Sequence, residues 1–234
     1  MKKRRNFPRL LHIFLLLTSF FIFESGNAQT HYASNVAIGI KGGMDFSQVF
    51  FNPKVKQNFL PGTTAGIMVR YIEENHFGLI GELNFAQRGW KENFEDDPFN
   101  FSKTLDYIDL CFMAHIFFGN RGRFFFNAGP QIGYYLGERI KANFDPYEMG
   151  SIPGFPNINR INQQMIEPVT IKVDYGISAG LGGEFNLNRR NSLSVECRFY
   201  FGLANIFSTK RVDYFNASNQ MSLSATIGYW FRIK

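Results

Sequence analysis

Thr170-Ile171-Lys172-Val173-Asp174-Tyr175-Gly176-Ile177-Ser178-Ala179-Gly180-Leu181-Gly182-Gly183-Glu184-Phe185 interleaves two kinds of residue on alternate positions. Val173, Tyr175, Ile177, Ala179, Leu181 and Phe185 form one series, and Lys172, Asp174, Gly176, Ser178, Gly180, Gly182 and Glu184 form the other. A period of two indicates a β-strand, because successive Cβ atoms point to opposite faces. The second series decides what the first one faces. A soluble eight-stranded barrel would turn its apolar phase inward and its polar phase to water. A face turned to water has no need of so many small residues, whereas the crowded lumen of a narrow barrel does. The stretch therefore predicts a barrel whose apolar phase lies outside, against lipid.

The same alternation runs through the chain. Val36, Ile38, Ile40 and Met44 show it, as do Ala65, Ile67, Val69 and Tyr71, and Phe77, Leu79, Leu83 and Phe85. It continues in Ile108 to Phe118, Phe124 to Tyr134, Leu193 to Phe201 and Met221 to Phe231. The apolar phase carries no charge in any of these segments, although 19% of the chain is charged. Strands are expected at 35–46, 63–72, 77–90, 103–118, 123–137, 170–185, 192–202 and 219–233. The fold class that follows is all-β, an eight-stranded antiparallel up-and-down transmembrane β-barrel. Outward aromatics near the segment ends (Tyr71, Phe77, Phe118, Phe124, Phe185, Tyr229, Phe231) suit an interfacial girdle. Pro130 removes a ladder donor inside an expected strand, which predicts a bulge near Gly129-Pro130.

The connections alternate in length. Those at 73–76, 119–122 and 186–191 are short and polar, while 47–62, 91–102, 138–169 and 203–218 are long. Outer-membrane barrels combine short periplasmic turns with longer outer loops, so both termini are expected on the periplasmic side. At the start, Lys2, Lys3, Arg4 and Arg5 precede the apolar run Leu10 to Phe23, and Gly26-Asn27-Ala28 follows. The run is about 14 residues, short of the roughly 20 that a spanning helix needs. Residues 1–28 therefore read as a signal peptide cleaved before Gln29, and 29–234 as the barrel domain. Five of the 25 Lys/Arg and one of the 19 Asp/Glu lie in 1–28, so the remainder carries 20 and 18, a net of +2. The basic balance belongs mostly to the leader and gives no basis for a nucleic-acid partner.

Several stretches resemble the PorT-like outer-membrane β-barrel family of one Gram-negative phylum. They are Gly39-Ile40-Lys41-Gly42-Gly43-Met44-Asp45-Phe46-Ser47, Glu82-Leu83-Asn84-Phe85-Ala86-Gln87-Arg88-Gly89, Tyr107-Ile108-Asp109-Leu110, Gly129-Pro130-Gln131-Ile132-Gly133-Tyr134 and Arg198-Phe199-Tyr200-Phe201-Gly202-Leu203-Ala204-Asn205-Ile206. Thr226, Gly228, Phe231 and Ile233 are similar to the carboxy-terminal signal read by the barrel-assembly machinery, although Lys234 follows where a terminal Phe is commonest. The family is named for a member required by a secretion system. The resemblance implies a small barrel of the cell outer membrane that acts as a structural or interaction component, an accessory of a secretion system or of another outer-membrane complex. The alternative is a small-barrel enzyme acting on lipid or peptide at the outer rim.

The polar phase places Asp45, Glu82, Asp109, Asp174, Glu184 and Glu196 inward with Lys41, Arg70, Arg88, Lys172, Arg198 and Arg232. An eight-stranded barrel is just filled by side chains, and buried charges must pair, so a self-neutralising plug is expected and an open pore is not. His12, His31, His76 and His115 form no two-histidine zinc pattern, and no cysteine pair has metal spacing. His115 is expected to face the lumen and hydrogen-bond there. No serine stands at a recognisable spacing from a rim histidine, so no catalytic, cofactor-binding or metal-binding residue is assigned, no cofactor is expected, and the chain is read as a non-enzyme. Gly176, Gly180, Gly182 and Gly183 open no helix and so are no phosphate loop. Asn216-Ala217-Ser218 is a chance glycosylation triplet. Cys111 and Cys197 fall on opposite phases and are expected to be free thiols. The segment 138–169, with Pro146, Pro153, Pro156, Pro168, Phe144, Tyr147 and Phe155, is a featureless loop without strand or helix signals, the candidate for docking a partner protein, a glycan or another barrel, with plain mobility as the alternative. Lipid is the other partner expected.

Overall fold

The structure, a computed structural model, describes residues 35–95, 98–156, 160–209 and 214–233. The expected signal peptide at 1–28, His31 and Lys234 lie outside them. The strands are β1 (Asn35–Asn52), β2 (Gln57–Asn58), β3 (Leu60–Ile72), β4 (Phe77–Glu92), β5 (Phe101–Phe118), β6 (Gly122–Ala142), β7 (Val173–Asn186), β8 (Asn191–Asn205) and β9 (Ala217–Arg232). A one-turn helix, α1 (Gln163–Ile166), and a 3-10 turn at Met149–Ser151 lie between β6 and β7. The eight long strands pair antiparallel with their sequence neighbours, β1 pairs with β9, and the two-residue β2 adds to the outer end of β4. The sheet is therefore a closed ring with no free edge along its middle.

The apolar phase faces out. Ile40, Ile67, Ile177 and Ile227 are 58–64% exposed on the exterior, whereas Lys41, Arg70, Arg88, Glu82 and Asp109 are buried inside. Rows of apolar side chains run around the wall, as in Ala65, Phe85, Ile108, Tyr134 and Val173, each opposite the next. Outward Tyr71, Phe77, Phe118, Phe124, Phe185, Tyr229 and Phe231 are all exposed and gather at the end with the short turns. Cys111 is buried inside and Cys197 is exposed outside, and both are free thiols.

Above this band the pattern changes sign. In β5, Ile108, Leu110 and Phe112 point out while Asp109 and His115 point in. Nearer the outer end Phe101 and Leu105 point in and are fully buried, while Ser102, Thr104 and Asp106 point out. β4 does the same: Leu79 and Leu83 are exterior, but Trp90 is interior and Gln87 and Lys91 are exterior. Lipid surrounds one part of the wall and water the other, so the alternation persists while its polarity inverts. The strands are consequently longer at their outer ends than the expected ones. β1 continues to Asn52, β4 to Glu92 and β6 to Ala142, while β7 starts at Val173 instead of residue 170.

Two further expectations are corrected. No bulge lies at Gly129-Pro130. Pairing skips Phe112 and Met113 opposite them and resumes at Ala114↔Ala128 in unchanged register. Gly129 permits this, because a Cβ there would sit 2.0 Å from the Phe112 carbonyl oxygen. The register shift of β5 and β6 falls instead between Asp106 and Tyr107, where Leu136 is the extra residue. Lys172 does not join the interior charges: it precedes β7, is exposed, and donates to the Val169 carbonyl at 3.2 Å.

Candidate functional site

The lumen is tied across its width by charge pairs. Glu82 on β4 accepts from Lys41 Nζ at 2.6 Å and from both terminal nitrogens of Arg198 on β8 at 2.7 and 2.9 Å. Arg198 also bonds Glu196 at 2.7 Å, and Glu196 accepts from Asn127 at 2.9 Å. His115 completes this chain through Nδ1, 2.7 Å from Asn127 Oδ1, so it faces the lumen as expected. Arg70 on β3 reaches Glu184 on β7 with two bonds and lies over the Trp230 ring at 4.5 Å. Arg88 bonds Asp109 and Asp174 and is sandwiched by Tyr107 and Tyr200, 4.6 and 4.7 Å from their ring centres. Breaking such a tie from one side leaves a buried charge unpaired, at about 3–5 kcal/mol. A void beside Lys41, Glu82 and His115 measures about 10 Å³, the least that holds one water molecule. The paired charges fill the middle of the lumen.

Above the charges lies an aromatic roof. Phe51, Trp90, Phe101, Leu105, Phe207 and Phe215 pack with Phe155, Met165 and Val169 of the β6–β7 connection. Two buried charges pin that connection in place. Glu92 accepts from Arg160 at 2.8 Å, from Gln164 at 2.9 Å and from Trp90 Nε1 at 3.1 Å. Lys103 donates to the Glu167 carbonyl at 2.9 Å. Sequence reasoning missed both residues, although each continues the inward parity of its strand. The aromatics Phe144 and Phe155 of the 138–169 segment thus turn into the barrel mouth, and α1 replaces the expected featureless loop. Tyr147 is the aromatic left outside, at 74% exposure. On the rim, a 2.6 Å bond from Lys56 holds the exposed Glu95 carboxyl below the ordinary carboxylate range. His76 sits in a short turn with Nδ1 3.1 Å from the Phe117 carbonyl oxygen. Among the described residues no group of His, Cys, Asp and Glu has the geometry of a metal site.

A family model described as the outer membrane protein beta-barrel domain matches residues 27–208. The chain belongs to this family. Its place is the outer membrane, and the closed ring with its apolar exterior is the membrane-spanning part. Among solved structures it is similar to the outer membrane protein OprG from Pseudomonas aeruginosa, with 11% identity and a TM-score of 0.50, over 87% of this chain and 97% of that one. Neisserial surface protein A is also similar, with 10% identity and a TM-score of 0.45, over 84% and 97% of the two chains. So is Ail, the attachment invasion locus protein of Yersinia pestis, with 13% identity and a TM-score of 0.40, over 84% and 99%. At such identities the likeness concerns the fold. No curated protein matches the chain.

Proposed function

We propose that this outer-membrane barrel is a structural and interaction component rather than a channel or an enzyme, and that it serves as an accessory of a larger outer-membrane complex. The observation that supports this reading is the closed interior, in which paired charges fill the middle and an aromatic roof covers the outer end. A body filled in this way offers partners its outside. The outer tips of β4, β5 and β6 and the exposed part of the 138–169 segment around Tyr147 are the surfaces available to a partner protein. The PorT-like resemblance adds a secretion complex as the type of assembly. Extraction of the tagged chain from its own membranes in a gentle detergent tests the reading. A defined complex well above the mass of the single barrel is expected. Steady ion conductance of the purified barrel in a planar bilayer would overturn it, and so would hydrolysis of a labelled lipid or peptide.

A further inference from the structure

Lys91, Ser102 and Lys141 stand in one row across three neighbouring strands, since Lys91 pairs with Ser102 and Ser102 with Lys141. All three point outward, because Trp90, Glu92 and Lys103 beside them point in. Neighbouring strands lie roughly 4.8 Å apart, so the two lysine backbones are about 10 Å apart with a hydroxyl between them. The row below supplies Gly89, Thr104 and Arg139. Gly89 has no side chain and no room for one, since a Cβ would lie 2.0 Å from the Lys103 carbonyl oxygen. A groove of about 400 Å³ opens on this face along Lys91, Ser102, Thr104 and Lys141, edged also by Pro61, Asn100 and Asn143. Among the described residues neither lysine has a carboxylate within 4.0 Å. The nearest acid on this face, Asp106, is taken by Arg139 at 2.8 Å and by Gln87 at 3.2 Å.

Height above the hydrocarbon selects the ligand. The apolar exterior ends at Phe85, and Gln87 is the first polar outward residue of β4. Four further residues, at roughly 3.4 Å each and tilted about 40°, raise Lys91 some 10 Å above that level. A phospholipid head-group layer is only about 5–8 Å deep per leaflet. We propose that the Lys91–Ser102–Lys141 groove binds a phosphate carried on the sugar-like head group of an outer-leaflet lipid. The lysines supply charge, the hydroxyls of Ser102 and Thr104 donate hydrogen bonds, and the groove between Lys91 and Lys141 admits the ring that carries the phosphate.

Phosphatidylinositol 4-phosphate and phosphatidylinositol differ by one such phosphate and serve as the probe pair. The detergent-solubilised barrel is offered both lipids at equal concentration, and retained lipid is counted by native mass spectrometry. Preferential retention of the phosphorylated lipid is expected. The K91A/K141A variant should lose the preference about thirtyfold, at roughly 1 kcal/mol per lysine. R189A/R190A removes the same charge from a short turn at the other end of the barrel and should keep it. Lys91 is half-buried and Lys141, Arg189 and Arg190 are exposed, and a folded barrel is verified for each variant by its heat-modifiable gel mobility. Equal retention of the two lipids, or an equal loss in R189A/R190A, overturns the proposal. Displacement of the lipid by inorganic phosphate at matching concentration also overturns it, because the ligand would then be a free anion.

Discussion

Ile177 and Ser178 are neighbours in β7, one 58% exposed to lipid and the other fully buried in the lumen. Arginine at a lipid-facing midplane position costs roughly 2–4 kcal/mol, so Ile177→Arg should lower folding stability in liposomes by about that amount. Parity alone predicts that Ser178→Ala changes little. The structure adds a hydrogen bond of 2.6 Å from Ser178 to Gln131 Oε1, and leaving that buried acceptor unsatisfied costs about 1–3 kcal/mol. A spin label at 177 should be reached by oxygen more readily than by a water-soluble relaxer, and the reverse would place the apolar phase inside. Parity identified most of the interior charges, from Lys41 and Asp45 to Arg198, because a strand assigns sides by counting. It failed for Lys172, which lies just before β7, and it passed over Glu92 and Lys103, which reach Arg160, Gln164 and the Glu167 carbonyl of a distant connection. Counting along a strand reveals which way a side chain points and not what reaches it.

At the scale of elements, the strand middles were legible and their outer ends were not. The outward phase of the strand containing Trp90 ceases to be apolar at Gln87 and the expected strand stops at 90, whereas β4 runs on to Glu92. The β6–β7 connection was legible as long, aromatic and rich in proline. Its aromatics turn inward beside an ion pair of Glu92 with Arg160, which no local pattern couples. Removing the acceptor should release the connection. Glu92→Ala in proteoliposomes should speed tryptic cleavage after Arg160 about thirtyfold, because the charge-assisted bonds lost contribute roughly 2 kcal/mol to holding the segment closed. Cleavage at Lys172, which already lies exposed, serves as the reference. Unchanged cleavage after Arg160 would show that aromatic packing alone retains the segment.

For the whole molecule, the charge-free phase of eight strands predicts that the mature protein stays with outer membranes through alkaline carbonate extraction. Recovery as a soluble periplasmic monomer would contradict the orientation of every strand. The inversion of polarity along β4 and β5 has a mechanical consequence. A barrel that is apolar outside throughout could slide along the membrane normal at little cost. This wall has a waterline, with Phe85 and Ile108 just below it and Gln87 and Asp106 just above. A vertical shift of one residue pair, roughly 5 Å along the normal, either drowns Gln87 and Asp106 in hydrocarbon or strands Phe85 and Ile108 in water. Draught is thereby pinned to within a few ångströms. A bilayer thicker or thinner than the apolar belt must then deform to meet the protein, which makes the barrel a fixed gauge of local membrane thickness.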